Sequence, residues 1–229
     1  MQPKKVCYSE LAYVFGIIAL ALGTALMERA DFGMSMVVAP AYLLHLKLSG
    51  YYPAFTFGMA EYALQALLLI ALSIAMGGFK RSYLFSFVTA VIYGVALDLA
   101  IRGVGFMPFG GMGARMLFYF AGMLLCSVGV ALLFHTYIAP EAYELVVKEI
   151  SAKYGRRADR VKTAYDCASC LISVALSFAF FGFGRFEGVK LGTIFCALMN
   201  GWLIGRAGRA LEAVFIFRDA LELRRVFSR

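Results

Sequence analysis

Three carboxylates interrupt runs that are otherwise apolar: Glu61, Asp98 and Asp166. An ionisable group in such a run is costly to hold away from water, and it marks an ion or solute path, a proton relay or a buried charge pair. On the topology derived below, Glu61 falls in the outer third of its run, Asp98 near the outer end of the next, and Asp166 in the inner third of a later one. Arg29, Asp31 and Arg102 belong to the same side as the first two, which predicts an outer cluster of Glu61, Asp98, Arg29 and Arg102. Asp166 with Arg206 and Arg209 is its expected inner counterpart. Such clusters suit a pair of charged gates, or a proton or ion relay, on either side of a central cavity. They equally suit local pairing that fixes helix packing, as Asp98 can with Arg102 at i, i+4. Between the two levels lie Gln65, Asn200 and Trp202, of which Asn200 can hydrogen-bond a solute or another helix.

Nothing else in the chain resembles a reaction centre. There is no G-x-S-x-G, no H-E-x-x-H and no phosphate-cradling glycine loop, so no catalytic residue, metal ligand set or cofactor is expected. Cys167-x-x-Cys170 has the spacing of a redox or metal motif, but it sits in an apolar run and the only histidines are His45 and His135, which favours helix packing. The glycine-rich stretch 105–113 reads as a connecting loop. Gly201-x-x-x-Gly205 and Ala21-x-x-x-Ala25 allow close approach of helices.

The elements that must position these residues are membrane helices. The 229-residue chain is 62% hydrophobic and 16% charged, with a mean hydropathy of +0.79; a soluble domain carries about 25% charged residues. Crossing the hydrocarbon core takes about 20 apolar residues. Six runs qualify, at 11–27, 55–76, 83–101, 116–134, 163–183 and 188–205, the last with Lys190 snorkelling to the interface. Residues 32–44, with Gly33 and Pro40, are too short to span and are expected to be re-entrant or interfacial.

Six spans with both termini in the cytoplasm leave only Arg29, Lys47, Arg102, Arg115, Arg185 and Lys190 outside; every other Lys and Arg of the 22 lies inside. That is the expected positive-inside bias, and a seventh span at 32–44 would reverse it. The net charge of +8 therefore belongs to the cytoplasmic loops and tail rather than to nucleic-acid binding. Residues 211–227 read as a basic amphipathic helix on the cytoplasmic leaflet.

The two halves align at an offset of roughly 105 residues. Gly23-Thr-Ala-Leu26 matches Gly129-Val-Ala-Leu132, Ala71-Leu-Ser73 matches Ala175-Leu-Ser177, Gly94 matches Gly201 and Arg102 matches Arg209. Each half then holds three spans and a short segment after the first, at 32–44 and 139–154. An odd number of spans inverts the second copy, an arrangement common in secondary transporters. The expected fold is all-α and polytopic: one three-helix repeat over 1–112, an inverted second over 113–210, and the tail 211–229.

The stretch from Gly23 to Ser35, with Arg29, Ala30, Gly33 and Ser35 in an Arg-Ala-x-x-Gly-x-Ser turn, resembles the signature of the YitT/YczE/YyaS group of bacterial membrane proteins. Met36 stands where that group has proline. Asp98 after Gly94, Gly192-Thr-Ile194 and Tyr137-Ile-Ala-Pro140 resemble further motifs of the group. The resemblance implies a plasma-membrane protein of the kind described as a transporter without an established substrate.

The leading expectation is movement of a small solute or ion across the bacterial cytoplasmic membrane, with Arg29, Glu61, Asp98, Arg102, Asp166, Asn200 and Arg209 along the path. The alternatives are a substrate-capture subunit of an energy-coupling-factor transporter and a non-transporting accessory protein. The expected partners are the lipid bilayer, the solute, and a second copy of the chain or another membrane protein.

Overall fold

A computed structural model describes residues 5–107, 110–156, 158–184, 187 and 189–221. Lys4, Arg157, Arg185, the expected span start at Gly188 and the basic residues 224–229 lie outside the described residues. The elements run β1 (Lys5–Tyr8), α1 (Ser9–Ala30), α2 (Ala39–Ser49), α3 (Phe57–Met76), α4 (Arg81–Gly105), α5 (Gly111–Phe134), α6 (Ala142–Tyr154), α7 (Ala158–Phe181), α8 (Leu191–Val214) and β2 (Phe215–Arg218). Apart from that strand pair, the regular structure of the described residues is helical. Among the described residues five helices are long and apolar enough to cross a membrane: α1, α3, α4, α5 and the stretch Arg160–Phe181 of α7. The sixth predicted run forms most of α8, but Asn200, Arg206 and Arg209 along it leave it less apolar than these five.

The helices start and stop for local reasons. Thr56 caps α3, its hydroxyl oxygen accepting from Met59 N at 3.1 Å. Gly77 at φ 77° and Gly155 at φ 58° close α3 and α6 in the left-handed conformation that ends helices.

The central seam is the antiparallel pair α1 and α5. Gly16 lies against Gly129, and Gly23 against Gly122 and Cys126, so closely that a Cβ on Gly23 would sit 2.6 Å from the Gly122 carbonyl and the Cys126 sulfur. Gly58 of α3 meets Gly94 of α4 in the same way. The sequence placed close approach at Gly201-x-x-x-Gly205; Gly201 has only Thr163 nearby and Gly205 faces open space. Around the seam, α4 packs on α1 and α8 on α5, α3 on α4 and α7 on α8, while α2 touches α3 and α7, and α6 touches α7 and α3.

Residues 32–38 and 135–141 each turn back from a helix end into the interior. Met34, Ser35 and Met36 in the first, and Ala139 and Glu141 in the second, are buried. The short helices α2 and α6 then run outward again, α2 to the end where Lys47 Nζ donates to Phe180 O at 3.1 Å and α6 to the end where Lys80 meets Glu149. The first of these hairpins is the segment expected to be re-entrant or interfacial. At 11 residues α2 is far too short to span.

The C-terminal stretch corrects the expected amphipathic helix over 211–227. After Val214 the chain is extended and pairs in parallel with β1, Lys5 opposite Phe215 and Tyr8 opposite Arg218. The alternation of half-buried Phe215 and Phe217 with exposed Ile216 and Arg218 suits a strand lying over the bundle end. Glu10 accepts from Ala220 N and Leu221 N, locking the turn that follows. Both described chain ends therefore meet at one end of the bundle, called here the terminal end.

Gly23→Val is expected to destabilise the fold by about 1–3 kcal/mol through overpacking. Gly113→Val, on the same helix pair but in open space, serves as the control. Thermal unfolding in detergent reads the difference.

Candidate functional site

Where the two buried hairpins meet, the bundle encloses a polar cavity. Its walls come from α1 (Leu20, Thr24), the lead-in to α2 (Ser35, Val37, Val38), α4 (Tyr93), α5 (Cys126, Val130), α6 with its lead-in (Glu141, Tyr143, Glu144), α7 (Lys162) and α8 (Asn200). The cavity measures about 20 Å³, room for about one water molecule. Across it, Thr24 Oγ1 and Tyr93 Oη hydrogen-bond at 2.9 Å, joining α1 to α4.

Two polar networks flank the cavity, and α6 belongs to both. On one side the Gln65 amide Nε2 donates to Glu141 Oε2 at 3.2 Å and Glu61 Oε2 at 3.4 Å, while its Oε1 accepts from Ala142 N at 3.0 Å. The Tyr143 hydroxyl donates to Glu61 Oε2 at 2.9 Å. On the other side Lys162 Nζ lies 3.1 Å from Asp166 Oδ1 and 3.5 Å from Glu144 Oε1. All these acids are buried: Glu61 and Asp166 at 0% exposure, Glu141 at 1% and Glu144 at 3%; Lys162 is at 5%. Glu61 Oε1, Glu141 Oε1 and Glu144 Oε2 have no hydrogen-bond partner. Glu141 precedes α6, outside the spans; burial, with Glu144 and Glu61 beside it, holds its carboxyl well above the usual carboxylate range. The positive N-terminal end of α6 offsets part of the negative charge of Glu141 and Glu144.

The two predicted clusters are redistributed. Glu61 joins the second-half helix α6 rather than an outer group. Asp98 bonds instead to the start of α3: Thr56 Oγ1 donates to Oδ2 at 2.7 Å and Gly58 N to Oδ1 at 2.9 Å. No ion pair joins Asp98 to Arg102 among the described residues; Arg102 is exposed and lines, with Glu28, Tyr42, His45 and Asp98, a separate open cavity of about 220 Å³. Arg29 is half-buried at the end of α1. Asp166 pairs with Lys162, whereas Arg206 lies 4.8 Å over the Trp202 ring and Arg209 is exposed. Asn200 is buried and lines the central cavity.

Sequence reasoning missed Glu141, Glu144, Lys162, Tyr93 and Tyr143. The available signals were the i, i+4 spacing of Lys162 and Asp166, and the place of Glu141 and Glu144 on the segment already paired with 32–44. No group of three His, Cys, Asp or Glu among the described residues is arranged to hold a metal ion.

At the end of the bundle away from the chain termini, Asp31 ties three helices. Arg115 of α5 donates to Asp31 Oδ2 at 3.1 Å and to Ala30 O at 3.0 Å, and Lys190 before α8 donates to Asp31 Oδ1 at 2.5 Å. At the terminal end the Tyr137 hydroxyl donates to Glu10 Oε1 at 2.7 Å. Both closures join α1 to the second half of the chain.

Asp98→Ala removes the acceptor for two α3 donors and is expected to cost about 1–3 kcal/mol. Arg102→Ala, at an exposed position, should stay within about 0.5 kcal/mol of the parent. Chemical or thermal unfolding of the two variants in one detergent checks the contrast.

No curated protein and no solved structure matches the chain. A family model does, over residues 7–209, which takes in all eight helices except the last turn of α8. The chain therefore belongs to DUF6198, a family of unknown function, and is a helical, membrane-type protein.

Proposed function

We propose that this chain is a carrier, not an enzyme, that moves a small solute across the bacterial cytoplasmic membrane through the central cavity. In this reading α8 is the sixth crossing, both termini are cytoplasmic, and the two halves are inverted repeats. The short motifs shared with the YitT/YczE/YyaS group favour the same reading.

One observation carries the proposal: the walls of the enclosed cavity come in pairs, one member from each half, about 106 residues apart, as a site on the axis between inverted repeats requires. Leu20 pairs with Cys126, Thr24 with Val130, Ser35 with Glu141, and Tyr93 with Asn200. Glu61 and Asp166, which flank the cavity in its two networks, stand in the same relation. The α1–α5 seam obeys it too. Gly16 and Gly122 are equivalent positions, as are Gly23 and Gly129, and the contacts run crosswise, Gly16 to Gly129 and Gly23 to Gly122. Crosswise contact between equivalent positions is the signature of two-fold packing. Tyr13 and Tyr119 extend the pattern, the first bonding Thr89 at 3.0 Å on α4 and the second donating to Gly192 O at 2.6 Å on α8.

The cavity is enclosed, with one closure at each end of α1: Asp31 with Arg115 and Lys190, and Glu10 with Tyr137. Opening either closure alone would expose the cavity to one side, which is the requirement of alternating access.

The test is a thermal-stability screen of the detergent-purified protein against ions, amino acids, vitamins and amphipathic drugs, since a ligand of the folded state raises apparent stability by mass action. The expected result is a saturable shift that Asn200→Ala and Tyr93→Phe weaken at least tenfold in midpoint concentration, with the same solute taken up by proteoliposomes. Absence of any shift across the library, with no uptake, contradicts the carrier reading and favours an accessory role in the membrane.

A further inference from the structure

The cavity's charges do not balance. One ammonium, Lys162, faces four carboxyl groups, and it sits on the side of Glu144 and Asp166. Glu61 and Glu141 have only neutral donors, the Gln65 amide shared between them and the Tyr143 hydroxyl on Glu61, and each keeps one carboxyl oxygen with no hydrogen-bond partner. Facing Glu141 are Glu61 from α3, Tyr93 from α4, Tyr13 from α1, Cys126 from α5, Tyr143 and Glu144 from α6, and Lys162 from α7. Lys162 is the only cation of the set. The half-charge at the start of α6 cannot neutralise two carboxylates, and burying an uncompensated charge at membrane depth costs several kcal/mol.

Resting on the carrier reading, we propose that the Glu61–Glu141 pair is a proton-binding site and that the proton is the coupling ion of this protein. The pair holds one shared proton in the enclosed state, in the way two carboxyl groups at close quarters titrate as a unit. A proton needs no set of ligands, and no three acidic, His or Cys side chains among the described residues converge as metal ligands. Lys162 is the internal countercharge paired with Glu144 and Asp166, so the exchangeable proton resides on the α3 side of α6. The step is proton transfer alone: the carboxyl O–H breaks when one closure opens to water, water takes the proton, and the pair is left with two negative charges until a proton returns. Glu61 and Asp166 occupy equivalent positions in the two halves, yet only the first lacks a lysine one turn away, so the asymmetry of the halves selects the site.

Infrared difference spectroscopy of the purified full-length protein, taken between neutral and alkaline pH, tests the assignment with the proton itself as probe. The expected result is a protonated-carboxyl C=O band at neutral pH that disappears on alkalinisation. Glu141→Gln and Glu61→Gln, which match the protonated group in shape, should each lose it, and Asp98→Asn should retain it. A neutral-pH spectrum without a band sensitive to Glu141→Gln or Glu61→Gln overturns the proposal. Should Glu141→Gln not fold, the same comparison on Glu61→Gln decides. Proteoliposomes separate this test from that of the carrier reading. A band with no solute uptake supports the proton site while removing the carrier; uptake that is equal with and without a pH gradient, and unchanged in Glu61→Gln, removes the proton site while leaving the carrier.

Discussion

Non-helical backbone deep in a helical bundle has to find its hydrogen bonds among its neighbours, because the bilayer core offers no water. That constraint shapes this protein. The segment leading into α6 is irregular and buried, and its carbonyls are met by side chains on α4: Thr89 Oγ1 donates to Ala139 O at 2.9 Å and Ser86 Oγ to Pro140 O at 2.6 Å. The first backbone N–H of α6 goes to Gln65 on α3. The segment leading into α2 bonds internally through Ser35 O, which accepts from Val38 N and Ala39 N, and Phe32 O takes the Gly192 N–H of α8 at 3.0 Å. Polar positions that look isolated in an apolar sequence, Ser86, Thr89 and Gln65 among them, thus serve to let two short helices begin at the centre.

Because those helices begin at the centre, polar groups collect there. The start of α6 brings Glu141, Tyr143 and Glu144 between α3 and α7, so Glu61 of α3 and Lys162 of α7 each meet a partner on one short helix. Movement of α6 relative to α3 or α7 therefore breaks different polar contacts, and α6 couples the two sides of the cavity physically. The glycine seam between α1 and α5 is the complementary rigid part. At the paired glycines the two backbones approach closely, which fixes the spacing of α1 and α5.

Much of this organisation is legible in the sequence. Apolar runs place α1, α3, α4, α5 and most of α7, and the short run with Gly33 and Pro40 marks a hairpin that cannot span. Matched glycines are visible in the sequence, but not that Gly16 and Gly23 lie against Gly129 and Gly122, since contact between distant helices has no periodicity along the chain. The carboxylates were assigned by depth alone, and depth does not tell which neighbour a side chain faces; Asp98 and Glu61, close in depth, point to α3's own start and to α6. Lys162 reads as a cytoplasmic cation because it lies at a span boundary in a basic loop, where position-specific burial leaves no trace. The strand at Phe215–Arg218 escaped because four residues of alternation are indistinguishable from the end of an amphipathic helix until β1 is seen beside them.

The central claim is that the cavity between the halves opens to each side of the membrane in turn. Cys126 is native, buried and part of the cavity wall, so it serves as the reporter once the other four cysteines are replaced by alanine. The measurement is its reaction with a small membrane-impermeant thiol reagent added to sealed, uniformly oriented vesicles from either side. The account predicts slow labelling from both sides, with a ligand found by stability screening changing the ratio of the two rates. A Cys126 that labels from one side only, at a rate no solute alters, would contradict it.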